Sequence, residues 1–137
     1  MSQSKGLLEG KRGLIMGVAN NRSIAWGIAK ACSEAGAEIA FTYQGEPLKK
    51  RVEPLADQLG GLVVGHCDVS DGDTIDAVFA TLAETWDSID FVVHAIGFSD
   101  KDELTGRYVD TSSDNFAKTM DISVYSLTAV TQRAEKM

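Results

Sequence analysis

The chain has 137 residues, a length that allows one domain and leaves little room for a second. Its composition, 44% hydrophobic and 24% charged, is that of an ordinary globular protein and excludes a disordered or a collagen-like chain. With 13 basic and 20 acidic residues the net charge is −7, which excludes nucleic-acid binding and docking on an anionic membrane surface.

The sequence predicts a cytoplasmic protein. No apolar run approaches the ~20 residues of a membrane span, and the first residues, MSQSKGLLEGKRG, contain no apolar signal core. Cys32 and Cys67 belong to no Cys-x-x-Cys pair, and we expect reduced, buried thiols, with a disulfide as the less favoured alternative. Two cysteines and two histidines in unrelated places do not supply a structural zinc site.

The regular pattern begins with a strand and a helix. Residues 13–17, Gly-Leu-Ile-Met-Gly, form a short apolar run closed by glycine, which predicts a buried strand. The next apolar positions recur every three or four residues and predict one face of a helix: Ile24, Ala25, Ile28, Ala29, Cys32 and Ala35. Gly36 follows where a C-terminal helix cap belongs.

Three further strands follow with helices between them. Residues 38–43 predict a second strand, residues 47–59 a polar helix, and residues 62–67 a third strand. Ser70 and Asp73 form a Ser-x-x-Asp pattern, which predicts that Ser70 caps the next helix. The apolar stripe of that helix is Ile75, Val78, Phe79, Leu82, Ala83 and Trp86. A fourth strand is predicted at residues 91–95.

The longest helical pattern covers residues 113–137. Its larger apolar stripe is predicted to face the sheet: Phe116, Met120, Ser123, Leu127, Val130 and Ala134. A weaker stripe, Ile122, Tyr125 and Ala129, is predicted to point away, either into an interface between subunits or under a further part of the same chain. The pattern reaches the last residue without a cap, from which we expect a piece of a longer protein.

These elements together predict the fold class. The strands alternate with helices and are continuously apolar, which indicates a parallel sheet covered by helices on both faces. Right-handed crossovers then give an open, doubly wound, Rossmann-type α/β sheet. We expect residues 1–137 to form one domain, truncated after the fourth strand and the following helix.

The turn after the first strand is rich in small residues and leads into a helix. Such a turn presents backbone N–H groups and a helix N-terminus to an anion. Gly17 permits a tight turn, Ser23 donates a hydroxyl to a phosphate or caps the helix, and Gly27 lets the helix pack closely on a strand. The strict Gly-x-Gly-x-x-Gly fingerprint is absent, so a plain strand–helix turn remains the alternative.

Gln44 follows the second strand, where a dinucleotide would place its adenosine ribose. Its amide can bond a ribose hydroxyl and offers no charge to a 2′-phosphate. The sequence therefore favours NADH over NADPH, unless a cation of the next helix, Lys49, Lys50 or Arg51, reaches that phosphate.

The ends of the third and fourth strands predict further contacts. Asp68 can accept from an adenine amino group, with Val69 donating through its backbone, although a turn or cap role for Asp68 is equally open. Gly97 lets the backbone approach a ribose or a nicotinamide. His66 and His94 lie in apolar strands, and we expect core histidines with hydrogen-bond partners rather than catalytic residues.

Five stretches together resemble one family. They are Gly-Val-Ala-Asn-Asn-Arg-Ser-Ile-Ala-Trp-Gly-Ile-Ala at 17–29, Ala-Phe-Thr-Tyr-Gln at 40–44, Cys-Asp-Val at 67–69, His-Ala-Ile-Gly-Phe at 94–98 and Asp-Ile-Ser-Val-Tyr-Ser at 121–126. Nearly the whole chain resembles the bacterial NADH-dependent enoyl-acyl-carrier-protein reductases of the short-chain dehydrogenase/reductase superfamily. The resemblance implies a fatty-acid biosynthesis enzyme that transfers hydride from NADH to the β-carbon of a trans-2-enoyl thioester on acyl-carrier protein.

The resemblance also implies roles for single residues. Eight would contact the cofactor: Gly17, Ser23 and Ile24 at the pyrophosphate, Gln44 at the adenosine ribose, Asp68 and Val69 at adenine, and Ile96 and Gly97 on the nicotinamide side. Ser99 would lie at the mouth of the acyl site. The family's catalytic Tyr and Lys match no position here, so we assign no catalytic residue and expect this chain alone to be inactive. Similar reductases pair through the last helix into tetramers, which implies a homotetramer.

Two other functions remain open at this point. A non-catalytic dinucleotide-binding module is compatible with the unmatched catalytic pair. Another short-chain reductase, acting on a ketone or an alcohol, would share the fold, but the Ser-Ile-Ala turn and the His-Ala-Ile-Gly-Phe stretch argue against it.

Overall fold

The computed structural model describes residues 5–137. In chain order its main elements are β1 (Arg12–Met16), α1 (Ile24–Glu34), β2 (Glu38–Tyr43), α2 (Gly45–Gln58), β3 (Leu62–His66), α3 (Gly72–Ala83), β4 (Phe91–His94), α4 (Ser113–Met120) and α5 (Ser126–Ala134). A π-helical segment, Asp121–Tyr125, joins α4 to α5, and short 3-10 turns lie at Lys101–Glu103 and Tyr108–Asp110. Every predicted strand is present.

The four strands form one parallel sheet in the order β3-β2-β1-β4. The central strand is β1, in which Ile15 lies opposite Phe41 of β2 on one side and Val93 of β4 on the other. Because the strands run in the same direction, their carboxyl ends meet at one edge of the sheet. The predicted doubly wound parallel α/β fold is therefore confirmed.

Each face of the sheet has its own hydrophobic core. Ile15 clusters with Trp26 of α1 and with buried residues of α2 on one face. Leu14, the preceding residue of β1, clusters with Leu82 of α3 and Val130 of α5 on the other. The inner positions of the strands, such as Leu14 and Ile15, are apolar because both faces of the sheet are covered, and this burial at about 25 cal/mol per Å² is the main stabilising contribution.

The predicted face of α1 is partly wrong. Ala25 and Ala29 are buried as expected, but Ile24 is 80% exposed, and Trp26, which the periodicity did not assign to that face, is buried. Ile24 is the first residue of the helix and lies beside the end of β1, past the surface that buries the later turns. Trp26 packs against Phe41 instead, with ring centroids 6.3 Å apart.

The predicted cap of α3 is also wrong. The helix is capped by Asp71, whose carboxylate accepts a hydrogen bond from the N–H of Asp73 at 3.0 Å. Ser70 lies before the cap and bonds Asp68. The stripe behind the cap was correct except for Ala83, which is exposed.

The predicted stripe of the last helix is the largest error. Phe116, Met120 and Leu127, expected against the sheet, are 49%, 42% and 52% exposed. Two polar residues, Asn115 and Ser126, take buried positions in their place. Val130 and Ala134 pack on the core as predicted, so the error lies in the stripe up to Leu127. The π-helical segment between α4 and α5 shifts the helical register, and one constant period therefore cannot describe the inward face on both sides of it. The helix also ends at Ala134 rather than at residue 137.

The outward stripe was predicted partly correctly. Tyr125 is 54% exposed, as expected, and Val124 beside it is 53% exposed. Ala129 is buried, contrary to the prediction, and Ile122 is half-buried. Within residues 5–137, no helix combines the length and the apolar character needed to cross a bilayer.

Two glycines of the β1–α1 region have opposite environments. Gly17 has φ +102°, and a Cβ there would overlap the carbonyl oxygen of Ala95. Gly27 lies in the exposed side of α1, and a Cβ there would meet no atom within 4 Å among the described residues. The expectation that Gly27 provides close helix–strand packing is therefore wrong.

The two alanine substitutions should change stability in opposite directions. We expect Gly27→Ala to raise the free energy of unfolding by roughly 0.5–1 kcal/mol, because alanine loses less backbone entropy in a helix. Gly17→Ala should lower it by more than about 1–2 kcal/mol, the cost of the left-handed backbone alone, because the overlap with Ala95 adds to it. Urea denaturation of both variants measures the difference; equal stabilities would contradict the close approach at Gly17.

Candidate functional site

A cleft runs along the edge of the sheet where the four strands end. It consists of two adjoining cavities of about 80 and 220 Å³, which share Gln44, Cys67 and Ile96. The smaller cavity is further lined by Gly17, Val18, Ala19, Thr42, Tyr43 and Leu48. The larger is further lined by Asp68, Val69, Ser70, Phe98, Lys118 and Ile122. We call the two together the carboxyl-edge cleft.

The carboxyl-edge cleft collects most of the residues that the sequence singled out. It brings together Gly17, Gln44, Asp68, Val69 and Ile96, which lie up to 79 positions apart in the chain. The other predicted residues, Ser23, Ile24, Gly97 and Ser99, do not line it but follow β1 and β4 nearby.

The β1–α1 turn is closed by the hydroxyl of Ser23. Its Oγ accepts hydrogen bonds from the N–H groups of Ala19 at 2.9 Å and Asn20 at 3.1 Å. Ser23 therefore occupies the N-cap position of α1 without making the usual side-chain cap bond. Its hydroxyl hydrogen remains to donate, and the first N–H groups of a helix, here those of Ile24 and Ala25, have no acceptor within it.

Gln44 stands between β2 and α2. It is exposed, it is the N-cap residue of α2, and its side chain makes no cap hydrogen bond. The N–H of the next residue, Gly45, donates instead to Nδ1 of His66 at 2.9 Å. His66 therefore has a partner, as expected, but it is exposed at the end of β3 and the prediction of a core position is wrong.

Asp68 is held by the residue two places after it. Its Oδ1 accepts from the N–H of Ser70 at 3.0 Å and from the Ser70 hydroxyl at 2.6 Å. These two hydrogen bonds lower the pKa of Asp68 below its usual value, and the bond from the hydroxyl has the larger effect. Partial burial opposes this lowering of the pKa, and the nearby His66 adds to it. Asp68 is therefore a carboxylate across the neutral range, with Oδ1 engaged.

Cys67 contributes a neutral thiol to the cleft. Burial raises the pKa of Cys67 to about 11; a hydrogen bond with Thr74 opposes the rise, and the charge of Asp68 adds to it. Burial also raises the pKa of Cys32. Both cysteines are free thiols, and their protonated state at neutral pH makes them poor nucleophiles.

The segment after β4 is fastened to α4 and to the π-helical segment. The Ser123 hydroxyl bonds both the N–H and the carbonyl of Phe98, at 2.9 and 3.1 Å. Asn115 and Thr119 each donate to Oγ of Ser99 at 3.0 Å. A Cβ at Gly97 would meet only Ser123 among the described residues, at 3.8 Å, so there is room for a side chain here.

Among the cleft residues that sequence reasoning missed, two come from the last helical run. Lys118 comes from α4 and Ile122 from the π-helical segment, and neither follows a strand end. The Lys118 ammonium lies 5.0 Å from the centre of the Phe98 ring and 3.0 Å from Asp100 Oδ1. Only the spacing within a correctly registered helix could have indicated them.

His94 plays the structural part expected of it. Its Nε2 lies 2.7 Å from Oγ of Ser126, and that hydroxyl donates to the carbonyl of Ile122 at 2.6 Å. With its own hydrogen engaged, Ser126 accepts from Nε2, which assigns the hydrogen of the neutral ring to that nitrogen. In the described range 5–137, no three side chains of His, Cys, Asp or Glu are grouped as metal ligands.

Comparison with known proteins agrees with this geometry. The family model described as Enoyl-(Acyl carrier protein) reductase matches residues 17–137. Enoyl-[acyl-carrier-protein] reductase [NADH] 1 of Rhizobium meliloti (strain 1021) is 73% identical over 137 residues, which are 100% of this chain and 50% of that protein.

Solved structures show the same fold. The enoyl-(acyl-carrier-protein) reductase of Anaplasma phagocytophilum in complex with NAD is 55% identical with a TM-score of 0.92, over 99% of this chain and 52% of that one. The Bacillus cereus enoyl-acyl carrier protein reductase with NADP+ and indole naphthyridinone is 46% identical with a TM-score of 0.92, over 96% and 52%.

The chain spans about half the length of the curated relatives it matches. The family model nevertheless covers far more than half of the chain itself, from the glycine that ends β1 to the last residue. The chain therefore belongs to the enoyl-acyl-carrier-protein reductase family.

Proposed function

We propose that the whole protein is an NADH-dependent enoyl-acyl-carrier-protein reductase, and that these residues are the dinucleotide-binding part of a single-domain enzyme. The observation that carries the proposal is the carboxyl-edge cleft, where residues following all four strands converge. Ligands of open α/β sheets bind at this edge. The names of the relatives support the choice of reaction, since the Rhizobium meliloti protein is named for NADH and the Anaplasma phagocytophilum structure holds NAD.

The residues of the cleft fit a dinucleotide. Gly17 carries no side chain that would cover the turn before α1. The N–H groups at the start of α1 and the hydroxyl hydrogen of Ser23 favour the binding of a pyrophosphate at this turn. Gln44 offers an uncharged amide for ribose hydroxyls. Asp68 offers a carboxylate acceptor for the adenine amino group, beside the backbone of Val69.

The nicotinamide end lies after β4. Ile96 lines the cleft, and Gly97, the next residue, is exposed. When bound, NADH would supply the hydride to the β-carbon of a trans-2-enoyl thioester on acyl-carrier protein, and the resulting enolate would take up a proton at the α-carbon. The part played by these residues is to bind and orient the cofactor, with Ser99 near the entry of the acyl group.

A direct test measures the reaction in the whole protein. NADH and a trans-2-enoyl thioester are mixed with the enzyme, and the absorbance of the reduced nicotinamide is followed while mass spectrometry identifies the product. A saturated thioester supports the proposal. Reduction of a ketone instead, with the enoyl thioester untouched, would show that the protein is another kind of short-chain reductase.

The last helices support a homo-oligomer, and by the resemblance a homotetramer. They carry a row of large exposed side chains: Phe116, Met120, Val124, Tyr125 and Leu127. An exposed apolar surface of this kind favours burial in an interface. The α4–π–α5 run is continuous over residues 113–134, long enough for a two-fold contact between copies. The alternative is that a further part of the same chain covers this exposed row.

We also propose a cytoplasmic location. Cys32 and Cys67 are both free thiols, which is the state that a reducing compartment maintains. The proposed substrate, an acyl group on acyl-carrier protein, would have to be available in the same compartment.

Removal of the Asp68 carboxylate should weaken NADH binding. We expect Asp68→Ala to raise the Kd for NADH about tenfold or more, because a hydrogen bond to a charged acceptor contributes roughly 1.5–3 kcal/mol. The matched control is Asp87→Ala, which removes an exposed carboxylate outside the carboxyl-edge cleft and should change the Kd by less than about threefold. Fluorescence titration measures both; equal losses would place adenine elsewhere.

Cofactor choice should follow the charge at position 44. We expect Gln44→Arg to shift the preference toward NADPH about tenfold or more, since a guanidinium can pair with the 2′-phosphate. Gln44→Met, of similar length and without charge, should not. The test compares the Kd values of NADH and NADPH for each variant. If the unchanged protein binds NADPH equally well, a cation of α2 such as Lys50 or Arg51 reaches the phosphate.

A charge on the exposed row should weaken the assembly. We expect Tyr125→Glu to lower the average mass of the whole protein on dilution, because a carboxylate cannot enter an apolar interface unpaired. Gln132→Glu, which adds the same charge at an exposed position of α5 outside the row, should leave the mass unchanged. Light scattering decides the matter. A monomeric unchanged protein would contradict the homo-oligomer.

A further inference from the structure

The turn between β2 and α2 is held from the neighbouring strand. Gly45, the first residue of α2, has φ +78° and donates its N–H to Nδ1 of His66 at 2.9 Å. The next backbone contact along the same pair is the N–H of Cys67 to the carbonyl of Tyr43 at 2.7 Å. The end of β3 thus bonds both sides of the position that Gln44 occupies.

This bond replaces an ordinary helix cap. The side chain of an N-cap residue usually accepts from an N–H of the first helical turn. Gln44 is the N-cap residue of α2 and makes no such bond, while His66 takes up the first N–H of the helix. The Gln44 side chain, which lines the carboxyl-edge cleft, is therefore available to bond a ligand there.

A β-bulge directs the imidazole to this place. Phe41 lies opposite Val63 and Thr42 opposite Gly65, so that Val64 is an extra residue of β3. An extra residue turns the side chains beyond it to the other face of the sheet. Downstream of the bulge His66 lies opposite Tyr43, with the two ring centroids 6.3 Å apart.

We infer that His66 is a positioning residue for cofactor binding: the hydrogen bond from Gly45 to His66 Nδ1 holds the turn in which Gln44 faces the ribose. The inference rests on the proposed function, because the ribose belongs to the dinucleotide assigned to the cleft. His66 contacts no substrate and acts through Gln44.

The inference implies a pH dependence. Nδ1 accepts only while the ring is neutral; a protonated imidazole has two N–H donors, and the bond to Gly45 is lost. Histidine is the side chain that ordinarily changes its charge between about pH 5 and pH 8. Cofactor affinity should therefore fall as the solution is acidified through this range.

The charged groups around His66 come from three elements. Asp68, which follows β3, and Asp73 of α3, which lines the same cavity as His66, are the carboxylates near the ring. Lys49 of α2 is the cation on this side, with its ammonium 5.9 Å from the centre of the Tyr43 ring. The hydrogen bonds from Ser70 hold the pKa of Asp68 below its usual value, so its own titration lies below the range in which a histidine ordinarily changes charge.

The experiment uses two substitutions of matched position. His66→Asn places an amide oxygen near the position of Nδ1 and does not titrate, whereas His66→Phe keeps a ring and has no acceptor. NADH is titrated into the unchanged protein and both variants at about pH 8 and about pH 5, with circular dichroism to verify folding. The Gly45 amide resonance is followed over the same range by NMR without cofactor.

We expect the unchanged protein to lose affinity about threefold to tenfold on acidification, the effect of one hydrogen bond. His66→Phe should show that loss already at about pH 8. His66→Asn should bind as the unchanged protein does at about pH 8 and retain that affinity on acidification, and its Gly45 resonance should no longer move with pH.

Full affinity in a folded His66→Phe variant would overturn the inference. So would a pH dependence that persists in His66→Asn, which would assign it to another group, such as His94. If His66→Phe does not fold, the comparison of His66→Asn with the unchanged protein still decides. Absence of NADH binding in the unchanged protein, with a Gly45 resonance that titrates, would overturn the proposed function and the positioning role together while leaving the hydrogen bond in place.

Discussion

The backbone of Gly17 lies against the carbonyl of Ala95 with no space for a side chain between them, and the carboxyl-edge cleft depends on this approach. The contact joins the end of the central strand to the end of β4. The N–H of Ala95 continues the pairing by donating to the carbonyl of Met16 at 3.2 Å. On the other side β1 is bonded to β2, so the turn that follows β1 lies between Gln44 and Ile96, where a long ligand would cross the sheet.

The sheet and the cleft could be predicted because their signals are local and redundant. A strand buried on both faces is apolar at every position, as Leu14, Ile15 and Met16 show, and each run is closed by glycine or a polar residue. Parallel order then brings the strand ends together without any knowledge of side-chain contacts. Gln44 and Asp68 could be selected from the sequence for this reason, before any distance between them was known.

The buried face of the last helical run could not be predicted, because polar residues occupy buried positions in it. Asn115 accepts from the N–H of Asp100 at 2.9 Å and bonds Ser99, and Ser126 bonds His94. A buried polar group that has a hydrogen-bond partner avoids most of the desolvation penalty, whereas a reading of helical periodicity expects only apolar side chains to be buried. The partners lie on the segment after β4 and on β4 itself, which a helical wheel does not contain. Phe116 then remains outside although it is the more apolar side chain.

Two polar side chains at this edge of the sheet, those of Ser23 and Asp68, are each held by the fold through one atom and keep another without a hydrogen-bond partner among the described residues. Ser23 accepts two turn N–H groups and retains its hydrogen. Asp68 accepts from Ser70 through Oδ1, and among the described residues Oδ2 accepts no hydrogen bond. The Gln44 side chain makes no cap hydrogen bond, and the N–H of Gly45 donates to Nδ1 of His66 instead. A ligand that meets such groups orders few side chains on binding, so that less of its interaction energy is lost to conformational entropy.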